Sequence, residues 1–249
     1  MVTSGIELRL AQRFCGPPGL ANGGFACGSM AALLHGTAEV TLRRPVPLER
    51  PLAACRGGDG TLLVRDGDTL LAEARPVDGE VELAAPGAVS LEQAQAVAGR
   101  ARYYQDPVFP GCFVCGPARQ PGDGLRIFPG PIAGRPLWAA PWTPDPSVAD
   151  ADGRVRPEMV WAALDCPGGL AAAEAACLPA DTFILLGRMT ARLAAPPTAG
   201  DRCRVVAWPV ARDGRKLVAG SALLAPGGEV LAAARAVWLT VPRPHPGAG

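Results

Sequence analysis

Asp165 stands in the middle of a nearly apolar segment, Pro157 to Cys177 (PEMVWAALDCPGGLAAAEAAC). A carboxyl group buried in such a helix loses its hydration and its pKa rises. It then suits general-base work near neutrality, or direct nucleophilic attack. The competing role is structural: accepting hydrogen bonds from the chain after a bend at Pro167, or capping a restarted helix. Glu158, near the positive start of the same segment, is the second acid and reads also as a helix-dipole or capping partner. Cys112-Phe-Val-Cys115 has zinc-knuckle spacing, but a closed zinc site needs four ligands. No second Cys-x-x-Cys exists, and His35 and His245 are far away in sequence. A tight turn ahead of a strand is therefore expected there, with no metal. Cys166, beside Asp165, reads as a buried, inert thiol.

Other chemistries lack their motifs. There is no GxxxxGK[ST] loop and no dinucleotide fingerprint after a strand, so no cofactor is expected. The 249 residues carry 24 Lys+Arg against 23 Asp+Glu. That balance disfavours a nucleic-acid or acidic-membrane partner, and no apolar run is long enough to cross a membrane. The N-terminal residues have no apolar signal-peptide core, and eight scattered cysteines fit reduced thiols. A cytoplasmic location is expected.

Two buried helices should position these residues, Gly23 to Leu34 (GGFACGSMAALL) and Pro157 to Cys177, since neither has a polar face. Pro167-Gly168-Gly169 should kink or break the second just after Asp165. A third, amphipathic helix is expected over Ser90 to Tyr103. Strands follow each core helix: Thr37–Arg43, Leu52–Arg56, Thr61–Val64 and Thr69–Arg75, then Phe183–Leu193, Arg202–Ala211, Leu217–Ala225 and Glu229–Val241. The 27 prolines and 31 glycines punctuate them, with GGDG, RDGD, RDGR and APGG as antiparallel turns.

The halves repeat. Setting Pro45 on Pro196 aligns TLRRPVPLERPLAAC with RLAAPPTAGDRCRVV without a gap. Setting Gly67 on Gly227 places GDTLLAEARPV on GGEVLAAARAV, with Arg75 on Arg235. The helix starts, Asn22 and Arg156, also pair. Each half is one buried helix followed by an antiparallel sheet, an α+β architecture, and two fused units can mimic a symmetric dimer. The expected organisation is an N-terminal unit over 1–80, a linker with one helix over 81–110, a C-terminal unit over 111–241 and a disordered tail over 242–249.

CFVCGPARQPGDGLRIF, DGRVRPEMVWAALD and the strand sequence from Leu193 to Trp238 resemble the hotdog-fold acyl-CoA thioesterases, in which a long sheet wraps a central helix. LANGGFACGSMAALLHG in the first half is similar to the same unit. The resemblance implies a tandem (double) hotdog, with CFVCGPARQPGDGLRIF holding a Cys-rich turn and a first strand. In that family a His-Gly-Gly precedes the helix, whose acid lies nine residues after the His. Here Arg156 takes the His place and Asp165 the acid's. In the first half Asn22 takes the His place, Gly23 and Gly24 match the glycines, and Ala31 replaces the acid. A family hydroxyl falls on Leu186, with Thr182 and Thr190 the nearest hydroxyls.

The family pairs the acid of one subunit with the glycine amide of the other. The resemblance thus implies one composite site: Asp165 catalytic, with Asn22, Gly23, Gly24 and Glu158 for substrate and oxyanion. The reciprocal site, with Ala31, should be dead. The implied activity is hydrolysis of acyl thioesters of CoA or a carrier protein. The alternative is a non-catalytic acyl-binding or assembly module. Further homo-oligomerisation is left open.

Overall fold

The computed structural model describes residues 5–34, 36–78 and 87–243. Two helices dominate it, α1 (Gly23–Ala31) and α3 (Pro157–Ala175), with the short α2 (Leu91–Val97) between them. Strands of the first half are β1 (Ile6–Leu8), β2 (Ala38–Leu42), β3 (Leu52–Arg56), β4 (Leu62–Asp66) and β5 (Thr69–Pro76). Those of the second are β6 (Gly130–Pro131), β7 (Trp138–Trp142), β8 (Thr182–Leu193), β9 (Cys203–Asp213), β10 (Lys216–Leu224) and β11 (Val230–Pro242). The eight strands expected after the core helices form within a residue or two of their expected limits.

All eleven strands join one antiparallel sheet in the order β1-β3-β4-β5-β2-β8-β11-β10-β9-β7-β6. The order reads the same outward from the β2–β8 seam: β5 answers β11, β4 answers β10, β3 answers β9, and β1 answers β7. Register agrees. The alignment that sets Pro45 on Pro196 also sets Glu39 on Thr190, and those two residues are directly paired across the seam. Arg43 and Arg44 both donate N–H bonds to Leu71 O; Ala194 and Ala195 both donate to Leu231 O. The same two alignments match these residues, so the repeat is a relation of backbone geometry as well as of letters.

Both helices lie against the sheet and each other. One continuous buried cluster takes Phe25 and Met30 from α1, Met159 and Leu164 from α3, and Leu62, Met189 and Leu217 from the strands. A helix apolar all round is satisfied only by burial on most sides.

Several expectations need correction. Pro167 does not break α3, which runs on to Ala175. Proline removes one helical N–H and crowds the preceding turn. Sheet packing accompanies the helix past this point: Ser221 of β10 donates to Leu164 O at 2.8 Å, three residues before the proline. Gly168 and Gly169 admit the sheet closely, the latter against Trp238. The helix expected to Tyr103 stops at Val97, where Ala98 leaves helical geometry, and only a separate short turn at Arg102–Gln105 follows. The first strand expected within 112–128 is absent; that stretch is turn and irregular chain, with pairing starting at Gly130. Its backbone bonds go instead to Cys15 and within the segment, as in Phe113 N–H to Cys15 O and Leu125 N–H to Phe113 O. Pro242 belongs to β11, and Arg243 is held by Asp106 at 2.7 Å. The rest of the expected tail lies outside the described residues.

Candidate active site

Asn22 caps α1. Its Oδ1 accepts the Phe25 N–H at 2.9 Å, satisfying one of the orphan donors at a helix start. Its Nδ2 donates to Oδ2 of Asp165 at 2.9 Å. The Gly24 N–H donates to the same oxygen, also at 2.9 Å. The acid of the later half therefore sits on the amides of the earlier half. Only glycine permits this: a Cβ on Gly24 would collide with the Asp165 Cβ and stand 2.8 Å from Trp161 O.

Asp165 is 2% exposed and Asn22 3%. The second carboxyl oxygen, Oδ1, is buried without a hydrogen-bond partner among the described residues. Burial pushes the Asp165 pKa up to about 7; the Gly24 bond opposes this, the charge of Cys112 adds to it, and the Asn22 bond opposes it. Such a carboxyl group is a competent proton acceptor near neutrality. Its oxygens do not serve the chain after Pro167, since the bonded one is spent on α1.

Asp165, Asn22 and Gly23 line one cavity of about 400 Å³. Its walls are largely apolar, from Phe109, Leu170, Phe183, Ile184, Leu186 and Trp238. Mostly apolar walls with a few convergent polar groups are the usual makeup of a small-molecule site. Of the first three N–H groups of α1, Gly24 is taken by Asp165 and Phe25 by Asn22. Gly23, the first helical residue, faces the cavity with the helix dipole behind it.

Glu158 is not part of this group. It does not line the cavity; it lies 3.4 Å from Arg156 and packs against Gly28 of α1. Seven residues of helix, about 10 Å, separate it from Asp165. Glu158 is instead the counterpart of Gly24 in the repeat, and Ala31 that of Asp165, so this corner has no carboxylate at the Asp165 position. Leu186, where a hydroxyl was sought, presses on the Gly23 backbone. Thr182 lines the cavity, whereas Thr190 bonds Glu39 on the sheet at 3.3 Å. Met159 and Trp161 are core residues outside the lining. His35 and His245 lie outside the described residues.

Two features escaped the sequence. Trp238 of β11 lines the cavity, and its Nε1–H is buried without a partner among the described residues. Cys166 joins Cys112 and Cys115 in the same lining, the Cys112 and Cys166 sulfurs 3.7 Å apart. The Cys115 and Cys166 thiols hold Cys112 well below the usual thiol range, helped by the Cys115 and Val114 N–H groups and opposed by burial. The Cys112–Cys115 spacing was visible, but nothing local marks Trp238 or the arrival of Cys166, because each depends on which face of a distant element meets the cavity.

No family model and no curated protein matches the chain. Solved structures do. An acyl-CoA thioesterase II, TesB2, from Mycobacterium marinum superposes with a TM-score of 0.60 at 13% identity, covering 96% of this chain and 93% of that one. The tesB protein of Mycobacterium avium subspecies paratuberculosis gives 0.59 at 13% identity, with 96% and 93% coverage. A hot dog fold protein from Alicyclobacillus acidocaldarius gives 0.56 at 13% identity, with 97% and 96% coverage. The chain has the hotdog fold. Over nearly its whole length it is similar to these structures.

Proposed function

We propose that this chain is a double hotdog that hydrolyses acyl thioesters at one composite site between its halves. The observation that carries the reading is the Asp165 carboxyl group. It is anchored through one oxygen to Gly24 and Asn22 of the other half, while its second oxygen is unpartnered beside an apolar cavity. The thioesterase names of similar structures support the same chemistry.

The acyl chain occupies the apolar cavity, and the thioester carbonyl oxygen meets the Gly23 N–H at the α1 start. That donor stabilises the oxyanion as the carbonyl carbon becomes tetrahedral. Asp165 Oδ1 takes a proton from water as the water oxygen attacks that carbon. The C–S bond then breaks, and the departing thiolate receives the proton. Fixed donors of this kind are each worth about 3–4 kcal/mol of barrier. The substrate is carried on CoA or on a carrier protein. The second corner has alanine (Ala31) in the place of the helix acid and proline (Pro157), without an N–H, at its first helical residue, so each chain carries one working site.

A panel of acyl-CoA chain lengths, read by thiol release, tests this. Turnover that is abolished in Asp165→Asn, with acyl-CoA still bound, is the expected result. Binding without turnover by the native chain at every length would instead make it an acyl-binding module.

A further inference from the structure

We propose that Cys112, Cys115 and Cys166 form a three-thiolate site for one zinc ion, its fourth position open to the cavity beside Asp165.

The three sulfurs all lie within 4.8 Å of one another. Zinc holds thiolates at about 2.3 Å in a tetrahedron, which puts neighbouring sulfurs about 3.8 Å apart. The Cys112–Cys166 separation of 3.7 Å already has that length. It is also far longer than a disulfide bond of about 2.05 Å.

The chain around the first two ligands is built as a knuckle. Cys112 and Cys115 occupy one tight turn, closed by the Gly116 N–H on Cys112 O at 2.9 Å. A Cβ at Gly116 would collide with the backbone of Cys112, so the turn closes only with glycine. Phe113, between the two ligands, packs edge-on against Phe25 of α1, ring centroids 6.1 Å apart, and so ties the turn to the start of α1.

The third ligand comes from α3, which puts Cys166 directly after Asp165. Asn22 Nδ2 lies 3.7 Å from the Cys166 sulfur and 3.9 Å from that of Cys112. Three thiolates and Zn²⁺ leave one net negative charge, and these donors offset its burial. All three cysteines line the cavity. An independent observation concerns the same cavity: Asp165 also lines it, and its buried Oδ1 has no partner among the described residues. A three-ligand set with an open corner is the arrangement of zinc sites that bind water or substrate.

The test uses the whole chain and measures metal, not turnover, so its result is separate from that of the hydrolase assay. Chain purified under reducing conditions is expected to hold about one equivalent of zinc. Replacement with Co²⁺ should give the visible bands of tetrahedral cobalt and a thiolate-to-cobalt charge-transfer band. Cys115→Ser and Cys166→Ser should lose the metal, and Cys177→Ser, an exposed thiol, should keep it. If the ligand variants do not fold, the native chain still decides. Added Zn²⁺ should protect Cys112, Cys115 and Cys166 from alkylation in mass mapping, and a chelator should remove the protection. Reduced native chain that neither retains zinc nor takes up Zn²⁺ or Co²⁺ overturns the proposal. So does a Cys112–Cys166 disulfide with no metal uptake after reduction, which would make the pair redox-active instead.

Discussion

The Gly24 amide nitrogen and Asp165 Oδ2 are 2.9 Å apart, although the two residues belong to opposite halves of the repeat. Their contact is both a hydrogen bond and the closest packing point of α1 on α3. A methyl group at Gly24 would overlap Asp165 and Trp161 O, with backbone on one side and no room to yield. Gly24→Ala is expected to destabilise the fold by about 1–3 kcal/mol, the usual range for overpacking. Chemical denaturation measures this, and an unchanged midpoint would contradict the close approach.

Asp165→Asn and Asp165→Ala should differ in stability while sharing loss of turnover. Asparagine keeps an acceptor oxygen for Gly24 and Asn22. Alanine leaves both buried donors unpaired, at about 1–3 kcal/mol. Melting temperatures should therefore rank the native chain near Asn and both above Ala. Equal loss in the two variants would show that the hydrogen bonds matter little.

One acyl group should bind per chain. A non-hydrolysable acyl-CoA analogue in calorimetry should give a stoichiometry near one, and Asp165→Asn should not change it. Two equivalent sites would mean that the Ala31 corner also accepts substrate.

Gly116→Ala should open the Cys112–Cys115 turn without touching any sulfur. The expected result is loss of bound zinc with the cysteines still present, read by metal analysis of the folded variant. Full metal occupancy in that variant would show that the turn tolerates a side chain.

Arg102 lines the cavity with an exposed guanidinium that donates to Leu178 O at 2.9 Å. If the proposed substrate is carried on CoA, this charge is expected to meet its phosphates. Arg102→Glu should raise KM for acyl-CoA severalfold, with kcat little changed, in steady-state kinetics. An unaltered KM would place the phosphates elsewhere.

The repeat was legible because strand pairing leaves period-two and turn signals in local sequence. Glu39 and Thr190, matched by counting, meet on the sheet. The Asn22–Gly24–Asp165 cluster was readable through the resemblance, since spacing along each helix start fixes both partners. Glu158 was misplaced because the match to a glycine pair said nothing about which corner it faced. The break expected at Pro167 is absent: helix propensity says nothing of the surrounding burial and the Ser221 contact that accompany the helix on to Ala175. Cys166 was invisible as a cluster member, since its neighbours lie fifty residues upstream and meet it only through tertiary packing.

The sheet closes its long ladder with three-residue β1 at one margin and two-residue β6 at the other. Margins that short offer an incoming chain few free backbone groups to pair with. Self-association that lengthened the ladder strand by strand is therefore disfavoured at these described edges.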